Sequence, residues 1–142
     1  MNIERDDIEA IVSSVWESVL EMPLTPTERD GTYQRAASVD IMGLWNGSVM
    51  VEIEREMLRR AAGAMFEVDL KGVTEFQMTD ALAEITNIVG GNVKCLLEHP
   101  TKLSLPSVQT VDLEAPLGEV DQIVRFRDDW GGDVRVKLIR VQ

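Results

Sequence analysis

Residues 36–53 read AASVDIMGLWNGSVMVEI, and this stretch decides which class of fold the chain can adopt. Val49, Val51 and Ile53 recur with a period of two, which is the spacing of a β-strand with one buried face. A second apolar run precedes them, and Asn46-Gly47 separates the two runs. Asn-Gly between such runs is the strongest short-range signal of a β-hairpin. The stretch therefore predicts two antiparallel strands and a tight turn in which Gly47 supplies a positive φ.

Helical and strand-like patterns surround this hairpin. Apolar residues spaced as on one face of a helix occupy three segments, and beyond His99-Pro100 the pattern becomes strand-like to the end of the sequence. The three predicted helices run from Asp6 to Leu24, from Arg55 to Phe66, and from an N-cap at Thr79 or Asp80 to about Leu97.

The order of these elements indicates an α+β domain, in which long helices pack on one face of a mostly antiparallel sheet. A chain of 142 residues has the usual size of one domain, so we expect a single domain over residues 1–142.

Composition narrows the classes of partner. The 25 acidic and 14 basic residues give a net charge of -11, which repels phosphate backbones and anionic lipid headgroups. We therefore expect neither nucleic acid nor membrane as a partner. The acidic N-terminus does not resemble a secretory signal, and a single cysteine, Cys95, allows no internal disulfide. These features favour a cytoplasmic protein.

The third predicted helix carries a polar stripe. On a helical wheel one arc is apolar and faces the core, formed by Leu82, Ile85, Val89, Val93 and Leu96. The opposite side is a narrow stripe of Asp80, Glu84, Asn87 and Gly91, which we expect to face solvent. Glu84 and Asn87 are three residues apart, so their side chains are neighbours on the helix surface.

Two interpretations of the stripe follow from the residues alone. Exposed Glu and Asn side chains on a helix are usually only solvated, and helix propensity is enough to explain Glu84. Asn87 is a poor residue for the middle of a helix, and each of the two glycines costs roughly 1 kcal/mol relative to Ala. Gly91 would let a partner approach the helix closely, whereas Gly90 points to a flank and indicates tight packing against a neighbouring element.

The pattern of residues 80–92, Asp-x-x-x-Glu-x-x-Asn-x-x-x-Gly-Asn, resembles the signature of the CheC/CheX/FliY family of chemotaxis phosphatases. The hairpin around residues 43–51 is similar to the strands that precede the catalytic helix in that family. Residues 103–108 resemble the Ser-Leu-Pro strand that follows it. Val12 stands three residues after Glu9, so the first helix lacks a second Glu-x-x-Asn pair, and the chain resembles the CheX type, which has one site.

The resemblance implies a function. The substrate would be the aspartyl phosphate of a CheY-like receiver domain, which supplies Mg²⁺ and a lysine, so the phosphatase needs no cofactor of its own. Asn87 and Glu84 would be the two catalytic residues. Asn87 would orient the attacking water, and Glu84 would accept a hydrogen bond from the ammonium group of the receiver's lysine. Gly91 would permit close approach. Asp80 would contact the partner, although an N-cap role is as good an interpretation of that residue.

Other functions fit the sequence as well. A receiver-binding adaptor without catalysis would share the same helix, and a structural subunit that pairs edge strands as a homodimer would use the strand-rich C-terminus. No group of residues has the spacing of metal ligands, and the lone His99 is typical of a turn.

Overall fold

The computed structural model describes residues 3–98, 100–110 and 113–141, which form three α-helices and seven strands. The helices are α1 (Arg5–Leu20), α2 (Arg55–Phe66) and α3 (Glu75–Lys94). The strands are β1 (Thr25–Pro26), β2 (Arg35–Gly43), β3 (Gly47–Ile53), β4 (Thr101–Leu103), β5 (Ser107–Gln109), β6 (Glu119–Arg127) and β7 (Asp133–Arg140). A short 3-10 turn, Leu70–Gly72, lies between α2 and α3.

All seven strands belong to one antiparallel sheet with the order β1-β6-β7-β3-β2-β4, and β5 also pairs with β2. The predicted hairpin is confirmed as β2 and β3, in which Ala37 pairs with Val51. Strands β2 and β3 lie inside the sheet, and helix α3 packs against both of them.

The three helices cover the same face of the sheet, which confirms the predicted α+β class. Val39 of β2 and Val51 of β3 point to this face and are buried with the apolar sides of the helices. The largest buried side chains of this core include Trp16 of α1 and Phe126 of β6. No helix in the described ranges is long and apolar enough to cross a membrane.

The opposite face of the sheet is partly polar. Ala36, Met50 and Ile139 form a small buried cluster there. Beside them, the carboxylate of Glu52 is buried and pairs with Arg135 at 2.8 Å and with Lys137 at 3.1 Å. No described helix covers this face of the sheet, and charged side chains form part of its surface.

The hairpin turn differs from the predicted tight Asn-Gly turn. Gly47 lies within β3, and the positive φ belongs to Gly43, at 149°. The side chain of Asn46 closes the turn, because it accepts from the Gly43 N–H at 3.1 Å and donates to the Gly43 carbonyl at 3.0 Å. A side chain at position 47 would collide with the Ile139 carbonyl and the ring of Trp45, so glycine is required there by close packing.

Three predicted helix bounds were wrong, and one of them is the end of α3, which lies at Lys94 rather than at about Leu97. Helix α1 ends at Leu20 rather than Leu24, because Glu21 adopts a left-handed conformation with φ 54°. Helix α3 begins at Glu75, and its N-cap is Thr74, so neither Thr79 nor Asp80 is a cap. Thr74 accepts from the Gln77 N–H at 3.1 Å, while the Gln77 side chain accepts from the Thr74 N–H at 3.0 Å, which is a capping box.

Candidate functional site

The buried apolar side of helix α3 determines which of its residues face solvent. Leu82, Ile85 and Val89 are fully buried against the sheet and the other helices. The predicted stripe therefore points outward: Asp80 and Glu84 are exposed, and Asn87 and Gly91 are partly exposed. Leu96, which was predicted to share the buried arc, lies beyond the end of α3 and is only partly buried.

The stripe forms part of a groove of about 510 Å³. Asp80, Glu84 and Asn87 line it together with Ala83 of the same helix. The other lining residues are Met65 and Phe66, from the end of α2, and Leu105 and Pro106, from the connection between β4 and β5. Three of the four predicted site residues thus meet in one concavity. Gly91 is not among its lining residues.

The polar side chains of the groove are free to meet a partner. Within the ranges that the structure describes, Asp80, Glu84 and Asn87 make no side-chain hydrogen bond or ion pair inside the protein. The two carboxylates can accept hydrogen bonds only, whereas the carboxamide of Asn87 can both donate and accept. Among the residues that the structure describes, no lysine, arginine or histidine lines the groove. The groove therefore suits a partner that brings its own positive charge.

The two glycines of α3 have different surroundings. A Cβ at Gly90 would clash with the Cγ2 of Val39, so glycine is needed for α3 to lie close to β2. This confirms that Gly90 serves tight packing. A Cβ at Gly91 would meet nothing within 4 Å, so nothing within the described structure requires a glycine there.

Leu105 was predicted as part of a strand, and that prediction was wrong. Leu103 pairs with Ile41, but Val108 pairs with Ala37, so one extra residue is present between β4 and β5. Residues 104–106 form a bulge that breaks the edge strand and places Leu105 in the groove, 89% exposed. Pro106, which cannot donate a ladder hydrogen bond, was the sequence signal for this break.

Met65 and Phe66 were not recognised from the sequence as site residues. They end α2, and only the packing of α2 beside α3 brings them to the groove. No local sequence pattern connects them with residues 80–87, so this part of the site could not be found from the sequence.

A family model described as "Chemotaxis phosphatase CheX" matches residues 35–117, more than half of the 142-residue chain. This chain belongs to the CheX family. The matched residues include every residue that lines the groove. No curated protein is significantly similar to the chain in sequence.

Solved CheX structures share the fold over almost the whole chain. The chemotaxis protein CheX from Vibrio vulnificus has a TM-score of 0.78 and 19% identity, covering 97% of this chain and 99% of its own. CheX from Desulfovibrio desulfuricans has a TM-score of 0.75 and 17% identity, with coverage of 96% and 97%. CheX in the CheX–CheY–BeF3–Mg²⁺ complex from Borrelia burgdorferi has a TM-score of 0.75 and 16% identity, with coverage of 99% and 100%.

Proposed function

We propose that this protein removes the phosphoryl group from the aspartyl phosphate of a CheY-like receiver domain. The observation that carries this proposal is the groove in which Asp80, Glu84 and Asn87 lie together with no partner inside the described protein. Membership of the CheX family supports the reaction class, and the Borrelia complex supports the class of partner.

In this proposal Asn87 is the catalytic residue that orients water. Its carboxamide accepts one hydrogen bond and donates another, so it can fix a water in line with the phosphorus atom without taking its proton. Phosphoryl transfer depends largely on positioning and on electrostatic stabilisation. A single well-placed amide is therefore enough for an enzyme whose substrate already carries the other groups.

Glu84 lies one turn earlier on the same face of α3 and accepts the ammonium group of the receiver's lysine. A charge-assisted hydrogen bond of this kind fixes the register of docking as well as adding affinity. Asp80, exposed and a further turn away, contacts the receiver at the edge of the groove. Gly91 lets the receiver come close to the helix one turn beyond Asn87.

The Mg²⁺ of this reaction belongs to the receiver. Within residues 3–98, 100–110 and 113–141, no three His, Cys, Asp or Glu side chains are placed to hold a metal ion. The groove offers two carboxylates at most, and both are assigned to contacts with the partner. The Mg²⁺ in the CheX–CheY–BeF3–Mg²⁺ complex from Borrelia burgdorferi supports a metal that enters with the receiver, where it would offset the negative charge of the phosphoryl group inside an acidic groove.

The test is the decay of a ³²P-labelled CheY-like receiver in Mg²⁺, with and without this protein. We expect the wild type to accelerate the decay, Asn87→Ala to abolish the acceleration, and Glu84→Ala to raise the receiver concentration needed for half-maximal rate. Asn92→Ala is a matched control on the same helix, because the exposed side chain of Asn92 donates to the Ile88 carbonyl of its own helix at 2.9 Å and does not line the groove. No acceleration by the wild type, despite binding, would favour the adaptor function.

Assembly as a homodimer and location in the cytoplasm stay predictions. The outer strands available for pairing between two copies are short: β1 has two residues, and β4 and β5 have three each. Size-exclusion chromatography with light scattering tests the dimer, and a single monomeric species at high protein concentration would contradict it.

A further inference from the structure

We propose that the bulge of residues 104–106 is a second docking element for the receiver, in which Leu105 packs against an apolar patch beside the phosphorylated aspartate. The inference rests on the proposed function and names a specificity-determining residue of the same groove. It goes beyond the polar stripe of α3, because the bulge belongs to the edge of the sheet.

The bulge is built to present Leu105. The register between β2 and the edge strands moves by one residue between Leu103 and Ser107. The extra residue leaves the ladder, and Leu105 is 89% exposed even though the strands on both sides remain paired with β2. Because the strands on both sides are fixed, the side chain of Leu105 stays in contact with water. A partner that covers its apolar surface removes that surface from water, which favours binding.

One hydroxyl fixes this conformation. The backbone N–H of Asp40 donates to Ser104 Oγ at 2.8 Å, and the Ser104 N–H donates to the Asp40 carbonyl at 2.9 Å. The same hydroxyl donates to the Leu105 carbonyl at 3.0 Å. The side chain of Ser104 thus replaces the ladder acceptor that the bulge removes. Pro106 has a fixed φ and restricts the backbone of Leu105 to extended conformations, so little backbone entropy remains to be lost when Leu105 is docked.

The groove also has a second apolar part. Phe66 is 40% exposed and Met65 is partly buried, and both line the groove with Leu105. A partner that reaches Asn87 therefore meets a polar helix face bordered by apolar side chains. Contacts that surround the centre of an interface exclude water from it, and the polar interactions of Glu84 and Asn87 are stronger where water is excluded.

Charge favours a protein that brings its own cations as the occupant of the groove. The described lining of the groove contains Asp80 and Glu84 but no basic residue, in a chain of net charge -11, so a free phosphorylated small molecule is repelled. A phosphoryl group enters only when its carrier supplies compensating cations and a surface wide enough to touch Leu105. A receiver domain with its own Mg²⁺ and lysine has both properties.

The matched control is Leu117, which is also 89% exposed but lines a different groove, with Asp40, Met42 and Ser48. The binding probe is the CheY-like receiver with Mg²⁺ and beryllium trifluoride, which mimics the phosphoryl group. The turnover probe is the ³²P-labelled receiver. Thermal unfolding of each variant shows whether the fold is retained.

We expect Leu105→Ala to raise both Kd and KM about tenfold, the scale of losing one apolar anchor, while kcat changes less than twofold. Leu105→Met restores Kd and KM, and Leu117→Ala leaves both at wild-type values. Ser104→Ala raises KM in the same direction, because Leu105 is no longer held.

Wild-type Kd and KM in Leu105→Ala, with the fold retained, would overturn the inference while leaving the phosphatase intact. A wild-type protein that binds the receiver but shows no turnover would remove the proposed reaction, and the Kd comparison would still decide the role of Leu105. A wild-type protein that neither binds nor acts would refute both.

Discussion

Gly90 and Gly91 are adjacent in α3, yet a methyl group on Gly90 would collide with Val39 whereas one on Gly91 would meet nothing within 4 Å. The first glycine is explained by packing against the sheet. The second lowers helix stability with no compensating contact in the described structure. Such a cost is consistent with a surface that another protein must approach closely.

We therefore predict that Gly91→Ala raises the free energy of unfolding by about 1 kcal/mol, because alanine is the better helix former. The same variant should weaken the receiver-dependent activity, because the added methyl group faces the docking partner. Urea unfolding and the receiver dephosphorylation assay measure the two effects. Gly90→Ala is the control and should be destabilised, and a Gly91→Ala variant with full activity would remove the proposed role of Gly91.

The end of α2 offers a second test of stability. Glu67 is exposed, adopts φ 54°, and donates its N–H to the Gly63 carbonyl at the negative end of the helix dipole. Both the left-handed backbone and the negative charge are unfavourable there. We predict that Glu67→Gly raises the free energy of unfolding by about 1 kcal/mol. Glu67→Ala keeps the Cβ and should gain less in the same urea titration; equal gains would show that backbone strain is not the cause.

Asp128 links the β6–β7 turn to α2. Its side chain is 1% exposed, accepts from the backbone N–H of Gly132 at 2.7 Å and of Trp130 at 3.0 Å, and pairs with Arg60 at 2.8 Å. We predict that Asp128→Ala lowers the free energy of unfolding by about 3 kcal/mol, because buried donors are left without an acceptor. The neighbouring exposed Asp129 provides the control, since Asp129→Ala should change stability by less than about 0.5 kcal/mol. Chemical denaturation of both variants decides the point.

We predict that the ionisation of Glu52 makes the free energy of unfolding depend on pH. Burial alone would raise the pKa of Glu52, but its hydrogen bonds and ion pairs with Arg135 and Lys137 outweigh burial and hold the pKa below its ordinary value. The folded state therefore binds its proton less tightly than the unfolded state. The resulting stabilisation is present above about pH 4.3, the ordinary pKa of glutamate, and is lost as the pH falls through the lower folded-state pKa.

Glu52→Gln removes this titration. We expect the variant to be less stable than the wild type at pH 7, by roughly 3 kcal/mol, because Arg135 and Lys137 lose their buried partner. The difference should shrink towards pH 3. Thermal unfolding from pH 7 to pH 3 measures it, and parallel curves for the two proteins would show that Glu52 does not carry the effect.

Local patterns predicted much of this fold. The bounds of α2, the β2–β3 hairpin and the outward stripe of α3 each follow from periodicity within one segment, and the structure confirms them. The start of α3 is also encoded locally, in the Thr74–Gln77 capping box, although Thr79 and Asp80 have the residue types of an N-cap as well.

The groove could not be predicted in the same way. Its walls come from the end of α2 and from the bulge before β5, and each position depends on tertiary packing or on strand register. Pro106 marks a break in the edge strand, but the extra residue of the bulge appears only when the pairings of Leu103 and Val108 with β2 are compared. Such a comparison needs residues that are more than sixty positions apart in the sequence, and periodicity contains no such information.

In the proposed function Asn87 acts in turnover rather than in binding. The most direct measurement is a pair of titrations on wild type and Asn87→Ala: binding of the receiver with Mg²⁺ and beryllium trifluoride, and decay of the ³²P-labelled receiver. The account predicts that the Kd of Asn87→Ala for the receiver lies within about threefold of the wild-type Kd, which is a smaller change than the loss of one good hydrogen bond would cause. It also predicts that the receiver decays with Asn87→Ala at the same rate as in buffer alone. Asn87→Ala that still accelerates decay at the wild-type rate would contradict it.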